Sequence, residues 1–302
     1  MAATYHLRRG TPDDTDAVVG ILVAAVTDLG RRQGTSWDAD PSELRVRLGA
    51  MFDHLAAHAS EWWIAEDVSG GTPIGYARSA QRGGLFELTE FFVHPDHQAA
   101  GLGADLLAHA FPDGRGEVRA IIATTDLRAQ SRYYRAGTTA QFPIVSMEIA
   151  QPAEIRIATD AELARADPDD PADLAALRAI DAAVLEFERG DEFGFLLADR
   201  EGWLLRRDGA AVGYAFVGKH GSGPIATLDP ADQLPLLALV ESRAAALGAA
   251  PLTLEVPMVN GVAMRHLLDR GFRMDAFFTF LMASRPFGSF DRYVVFGPPF
   301  VL

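Results

Sequence analysis

Cysteine is absent from all 302 residues. That excludes disulfides, thiolate nucleophiles and thiolate metal sites, and is compatible with a reducing compartment. Positive charge is scarce: 27 Lys and Arg stand against 41 Asp and Glu, a formal net charge of −14. Such a balance repels phosphodiester backbones, so no nucleic-acid partner is expected, whereas cationic small molecules would be attracted. Long hydrophobic runs are also missing. The longest near the start, 17–26, is bounded by Asp16 and Thr27 and has about half the length of a spanning helix. No apolar signal core precedes it. The expectation is a soluble, cytoplasmic protein with no membrane partner. Neither a G-x-S-x-G elbow nor a Walker string occurs, which disfavours hydrolase and nucleoside-triphosphatase chemistry.

Apolar residues make up 49% of the chain, enough for real cores, and the length suits two domains of about 150 residues. Short strand-like segments alternate with longer helical ones. In the first half, strands are expected at 4–9, 62–67, 74–80, 85–93, 117–124 and 142–150. Helices are expected after Thr11-Pro12, from Pro41 to about Ala57, from Gly101 to about Phe111, and over 128–136. The second half repeats the order. A strand at 154–158 is followed by an N-cap at Thr159-Asp160, helical stretches to about Arg189, strands at 201–207, 211–218 and 224–228, a helix over 234–248, a strand at 251–256, a helix to Arg270 and a strand at 273–283.

Landmarks recur in register. Gly75 to Gly213 is 138 residues, Pro95 to Pro230 is 135, and Gly137 to Gly271 is 134. An internal duplication explains this spacing, with domains at 1–150 and 151–302 joined at QPAE (151–154). Hairpins mixed with strand–helix–strand units imply, in each half, a mixed and mostly antiparallel sheet flanked by helices, an α/β (α+β) fold.

The stretch VHPDHQAAGLGADLL (93–107) ends a strand and starts a helix. Free backbone N–H groups at that helix start, together with its dipole, favour an anion. Gly101 and Gly103 have no Cβ, so a phosphate can approach the main chain. Gln98 adds an amide at the entrance. A Q-x-x-G-x-G string alone is as often a flexible turn as a cradle.

In this context the chain resembles the GNAT superfamily of N-acetyltransferases. The residues that carry the likeness are Val93, Pro95, Gln98, Gly101, Gly103 and Ala104, followed downstream by Asp126, Arg128, Ala129, Tyr133 and Gly137. Thr138 stands where the family usually has Phe. The resemblance covers the first half by motif and the second by topology. It implies a tandem GNAT fold and acetyl-CoA as co-substrate, with no metal. The pantetheine arm would pair near Val93 between splayed strands. The pyrophosphate would rest on the backbone of Gln98, Ala99, Ala100, Gly101, Leu102, Gly103 and Ala104. A primary amine of a small molecule or peptide would attack the thioester directly.

Amine attack needs a base. On the strand 85–93, Glu87 shares a face with Thr89, Phe91 and Val93, while Glu90 points to the other face unless a bulge intervenes. The family often places a base on this strand. Glu87 is read as that base or as a solvated edge residue, and Glu90 is a second candidate. The leaving thiolate needs a proton. Tyr133 matches the family tyrosine near the sulfur, and a phenol near pKa 10 suits a thiol near 8.5. Arg128, Arg132 and Arg135 on the same helix could meet the CoA phosphates or form a solvated basic face, and the second reading is preferred. In the loop 31–41, Trp37, Asp38 and Asp40 could hold a cationic amine, although Asp40 before Pro41 also reads as a plain helix start. His54 and His58 at i, i+4 lack a third ligand and read as surface residues, and His94 and His97 as incidental.

In the second half Gln233 stands opposite Gln98, but Leu236 replaces Gly101, Ala238 replaces Gly103 and Leu267 replaces Tyr133. The second copy is therefore expected to keep the fold without the site. Its tail, 285–302, is rich in aromatics and prolines and is expected to lie across the groove between the halves. A different class of function, a non-catalytic acyl-CoA sensor or scaffold, uses the same cradle. A homodimer is left open, since oligomeric state is not legible.

Overall fold

The computed structural model describes residues 5–35, 39–98, 101–298 and Leu302 of the chain. Its packing divides into two compact units. Unit 1 takes the chain up to Gln81, with Leu85–Ile121 and Asp126–Thr139. Unit 2 takes Arg82–Gly84, Ile122–Thr125 and everything from Ala140.

Unit 1 starts with β1 (Tyr5–Arg9). Pro12–Asp14 then forms a single tight turn, closed by the Asp14 carboxylate, which accepts from the Thr11 amide at 2.8 Å and the Thr11 hydroxyl at 3.1 Å. Helix α1 (Thr15–Gln33) carries the apolar run. Val18, Val19, Ile21, Leu22 and Val23 are all buried, as an amphipathic face requires. Helix α2 (Pro41–Ala57) follows, then β2 (Glu61–Asp67), β3 (Pro73–Arg82), β4 (Leu85–Val93), α3 (Leu102–Ala110), β5 (Val118–Ala123) and α4 (Leu127–Arg135). The strands run in the order β1-β2-β3-β4-β5. β1–β2 and β2–β3 are antiparallel, and β4–β5 is parallel.

In unit 2, β6 (Thr139–Ile149) pairs antiparallel with β11 (Leu252–Pro257), beside β12 (Arg273–Ala283) in the order β12-β6-β11. A five-stranded antiparallel sheet runs β13-β10-β9-β8-β7, built from β7 (Glu162–Arg165), β8 (Glu201–Arg207), β9 (Ala210–Val217), β10 (Ser222–Thr227) and β13 (Tyr293–Val294). Helices α5 (Pro171–Leu185), α6 (Glu192–Asp199), α7 (Gln233–Leu247) and α8 (Gly261–Asp269) complete it. Each unit thus combines a sheet with flanking helices, as expected. A packing unit and a repeated sequence need not share a boundary: by packing, unit 2 takes up the chain at Ala140, ahead of the sequence junction at 151.

Two expectations are corrected. The segment 154–158 forms no strand; the first strand of this half is β7, several residues later. The backbone of Ile155 is satisfied by the Ser242 hydroxyl, which accepts from its N–H at 2.9 Å and donates to its carbonyl at 2.8 Å, so no ladder is needed. Thr159 closes a local turn onto the Ala161 amide, and α5 starts only at Pro171, capped by Asp170. The tail, for its part, is built into unit 2: β13 is a strand of its sheet.

Glu255 on β11 gives unit 2 a pH dependence. Burial pushes its carboxyl up to about 7; the Ser146 hydroxyl opposes the rise and nearby Asp275 adds to it. An acid whose folded pKa lies above its unfolded value near 4.5 keeps its proton longer in the folded state. Stability is therefore lost as pH rises from about 4.5 to 7, by roughly 1–3 kcal/mol. Chemical denaturation across that range should show the loss in the native chain, and Glu255→Gln should flatten it.

Candidate active site

The site begins where β4 leaves β5. The parallel ladder runs from Leu85–Val118 to Leu88–Ile121 and stops, yet β4 continues to Val93. The last part of β4 thus offers main-chain groups that β5 does not use. Pro95–His97 then turns the chain. Gln98 closes that turn, its side-chain amide donating to the Val93 carbonyl at 3.1 Å, so it braces the loop and the end of β4.

Gly101 is the N-cap of α3 in the left-handed region (φ 87°) and no side chain caps the helix. The Ala104 and Asp105 amides bond back to the Gly101 carbonyl, which leaves the amides ahead of them for an outside acceptor. A Cβ on Gly103 would stand 3.3 Å from the Phe91 ring and 3.4 Å from the Arg132 guanidinium. The Phe91 ring and Arg132 therefore close onto the helix start, an approach that the missing side chain of Gly103 permits. Such an arrangement fits a diphosphate: bare amides, a helix N-terminus and one adjacent cation. Of the two sequence readings of Arg132, its place beside Gly103 favours the phosphate contact over the solvated face. Its i−1 position to Tyr133 was the signal that α4 turns it toward α3. Nearby, the Tyr5 hydroxyl donates to Asp105 at 2.6 Å, a bond that, with burial, pushes the phenol up to about 12. Nothing in the sequence pattern pointed to Tyr5. Ala99 and Ala100 lie outside the described residues.

Helix α4 presents Tyr133. Asp126 caps its start, accepting from the Arg128 amide at 2.9 Å and from Arg32 at 3.0 Å. Burial would raise the Asp126 carboxyl, but the Arg128 and Arg32 bonds outweigh it and hold it low. At the other end Gly137 takes φ 81°, and buried Thr138 donates its hydroxyl to the Tyr133 carbonyl at 2.9 Å. The threonine that replaces the family phenylalanine thus ties down the turn that carries Tyr133. Tyr133 is 5% exposed and packs edge-on against Phe91, with centroids 6.0 Å apart. Burial raises its phenol, the Asp126 charge adds, and Arg132 opposes. Among the described residues no hydrogen bond holds its hydroxyl. Tyr134, one residue on, is 52% exposed.

The two glutamates of β4 separate as alternation requires. Glu90 lies with Tyr76 and Phe92 on the α1 side, among Val18, Ile21, Trp62 and Ile64. It accepts from the Tyr76 hydroxyl at 2.9 Å and faces the Arg78 guanidinium at 3.0 Å, both side chains fully buried. Arg78 in turn stacks 4.0 Å over Trp62. A side chain so engaged by a phenol and a guanidinium ties β4 to β3. Glu87 is on the Phe91 face and fully buried, so the solvated-edge reading does not hold for it.

In the loop before α2, Trp37 and Asp38 lie outside the described residues. Asp40 is the N-cap of α2: one carboxylate oxygen accepts from the Ser42 amide at 2.8 Å and the Glu43 amide at 3.1 Å. Those bonds hold its carboxyl below the usual range. Asp40→Ala should lower the thermal unfolding midpoint, as loss of an N-cap does. If Asp40 also held the amine, the KM for the amine would rise in the same variant; thermal unfolding and initial rates separate the two. His54 and His58 stack on each other at 4.2 Å, and His94 and His97 lie edge to face at 5.9 Å.

Residues 58–137, from the end of α2 to Gly137, match the acetyltransferase (GNAT) domain family. That segment, about a quarter of the chain, carries a GNAT acetyltransferase domain. The match spans the open end of β4, the α3 start and Tyr133. Mycothiol acetyltransferase from Parafrankia sp. (strain EAN1pec) is 26% identical over 292 residues, covering 82% of this chain and 84% of that protein. Two solved structures share the fold at lower identity. A Pyrococcus horikoshii protein described as a candidate acetyltransferase superimposes with a TM-score of 0.74 at 14% identity, over 97% of this chain and 94% of that one. A tandem GNAT protein from the clavulanic acid biosynthesis pathway gives 0.59 at 14% identity, over 93% and 99%. The GNAT fold therefore extends beyond the matched segment, on a tandem plan. No helix among the described residues is long and apolar enough to cross a membrane.

Proposed function

We propose that this GNAT protein is an acetyl-CoA-dependent N-acetyltransferase that transfers its acetyl group directly to a primary amine of a small molecule or peptide. Residues 1–150 carry the reaction, and 151–302 are a degenerate copy. The observation that carries the reading is the junction of a β4 end that runs past its ladder with β5 and a glycine-opened α3 start beside Tyr133. Acetyl-CoA supplies the activated carbonyl: the amine nitrogen bonds to the acyl carbon, the carbon–sulfur bond breaks, and the thiol leaves.

The chain's own residues have four tasks. The amides at the α3 start and Arg132 take the diphosphate charge. The free edge of β4 after Leu88 offers main-chain partners to the amide groups of the pantetheine arm. Glu87, buried on the Phe91 face, is the base candidate for the proton that the attacking amine must shed, with Glu90 fixing β4 through Arg78 and Tyr76. Tyr133 holds a proton for the departing sulfur. The lack of cysteine agrees with direct transfer, since no thiol is present to carry an acyl-enzyme.

Opposite this, α7 of unit 2 begins under conditions hostile to a phosphate. Leu236 is fully buried in the core, and the N-cap residue Asp232 adds a negative charge at the helix start, its carboxylate paired with Arg207 at 2.7 Å. One working cradle per chain follows, with binding of one acetyl-CoA by calorimetry.

The deciding experiment is thiol release from acetyl-CoA against a broad amine panel, including amino acids, polyamines, aminoglycosides and peptide amino termini. Release with at least one amine is expected. Binding of acetyl-CoA without turnover for any amine would replace the enzyme reading with that of an acyl-CoA sensor.

A further inference from the structure

In unit 1, β4 runs on past its last pairing with β5. In unit 2 the corresponding strands are β10 and β11, and a third strand stands between them. β13 pairs antiparallel with β10, Ile225 opposite Val294 and Ala226 opposite Tyr293. On its other side Val295 bridges to Glu255 of β11, the Val295 amide donating to the Glu255 carbonyl at 2.9 Å. The Gly297 amide donates to the Ser222 carbonyl at 3.0 Å. The segment is therefore bound by main chain on both edges.

Side chains preserved from the duplication hold the same segment. Gln233, opposite Gln98 in the repeat, donates to the Asp291 carbonyl at 3.1 Å. Asn260, opposite Asp126 at the 134-residue offset, donates to the Tyr293 carbonyl at 3.0 Å and to the Gln233 amide oxygen at 2.6 Å. Both are fully buried. Arg200 donates to the Gly297 carbonyl at 2.8 Å and to the Gly223 carbonyl at 2.6 Å, with its guanidinium 3.9 Å from the Phe296 ring centre. Arg189 donates to the Tyr293 hydroxyl.

The cleft wall is shaped for a backbone. A Cβ on Gly223, which has φ 85°, would overlap the Val295 carbonyl oxygen, and one on Gly221 would overlap that of Gly297. Two glycines thus admit the segment as the cradle glycines of unit 1 admit an anion. Tyr293, Val294, Val295 and Phe296 are buried to within 1%.

We propose that the β10/β11 cleft of unit 2 is a peptide-strand site for an extended Tyr-Val-Val-Phe sequence, and that its resident ligand is this chain's own segment Phe290–Gly297. The mode is strand addition: main-chain bonds supply affinity, and pockets for alternate side chains supply selectivity. That the same slot in unit 1 takes an acyl-CoA arm rests on the function proposed above; the strand site itself does not.

The test uses the full chain with a protease site placed across the exposed residues 284–286. After cleavage the fragment should co-elute with the body in gel filtration, and a labelled synthetic peptide of residues 287–302 should enter only as the native fragment leaves. Gly223→Val should lower retention at least tenfold. A second arm leaves the chain uncut. Asn260→Asp keeps the oxygen that caps α8 through the Ala263 amide but removes the donor to Tyr293. Hydrogen exchange at Val295 and Gly297 should then speed at least tenfold, with β8 and β9 unchanged. Loss of the fragment on dilution with an unchanged unfolding transition would overturn the proposal. So would unaltered exchange in Asn260→Asp, or tails found seated in a second copy after mixing labelled chains. No arm measures acetyl transfer, so this site and the proposed activity fail independently.

Discussion

Gly103→Trp is expected to weaken acetyl-CoA binding by about a thousandfold or more, ~4 kcal/mol, and, since Gly103 is buried, to lower the unfolding midpoint as Phe91 and Arg132 are displaced. The position lies in the first turn of α3 with ordinary helical backbone, unlike Gly101, so a side chain there meets no conformational strain. What it meets is the Phe91 ring and the Arg132 guanidinium, 3.3 and 3.4 Å from a Cβ. A methyl group needs those neighbours to give by a few tenths of an ångström, and Gly103→Ala should therefore show an intermediate loss. An indole fills the space between α3 and α4 and covers the amides that a diphosphate would use. Calorimetric titration with acetyl-CoA reads the affinity, and the thermal unfolding curve verifies the fold. Affinity within threefold of the native value in a folded Gly103→Trp would remove the diphosphate from the α3 start and with it the proposed site.

The parts of this site that were legible in the sequence are those set by local chemistry. The strand over 85–93 is found with the same bounds, because a β-rich run ending at a Pro-containing turn admits little else. The α3 start follows from glycines that no other backbone demand explains. Tyr133 and Tyr134 separate because helical rotation sets them about 100° apart. The parts that were not legible depend on partners distant in the chain. Glu90 reads as a free carboxylate until β3 brings Arg78 and Tyr76 beside it. EIRIA reads as a strand, and its apolar alternation is real, but Ser242 on α7 satisfies its backbone instead of a neighbouring strand. For Asp40 the sequence left two readings, and the structure gives it the helix start. The tail is the clearest case. Nothing in 285–302 identifies which strand pair it will enter, since that is decided by the bare backbone at Gly221 and Gly223 and by Asn260 and Gln233.

Tyr133→Phe is expected to lower kcat by about 10- to 10²-fold, the worth of a hydrogen bond to a charged group, with the Kd for acetyl-CoA changed less than about twofold. The ring stays, so its packing against Phe91 stays and no cavity forms; only the hydroxyl goes. That hydroxyl is protonated at any pH at which an amine is a nucleophile, because burial and the Asp126 charge raise it above an ordinary phenol, with Arg132 opposing. The same shift makes it a reluctant acid toward a thiol near 8.5. Its contribution is thus a hydrogen bond that strengthens as charge builds on sulfur, about 1.5–3 kcal/mol for a bond to a charged group, with the proton following as the amine gives up its own. The sign of the shift fixes the pH profile. Rates should rise with pH as the amine deprotonates, and no alkaline fall attributable to Tyr133 should occur below about pH 10. Replacing acetyl-CoA by an acyl donor with a more acidic leaving thiol should narrow the gap between native and Tyr133→Phe, since a better leaving group needs less help. An equal gap for both donors, or a loss that falls on Kd alone, would make Tyr133 a wall of the pocket and leave protonation of the sulfur to solvent.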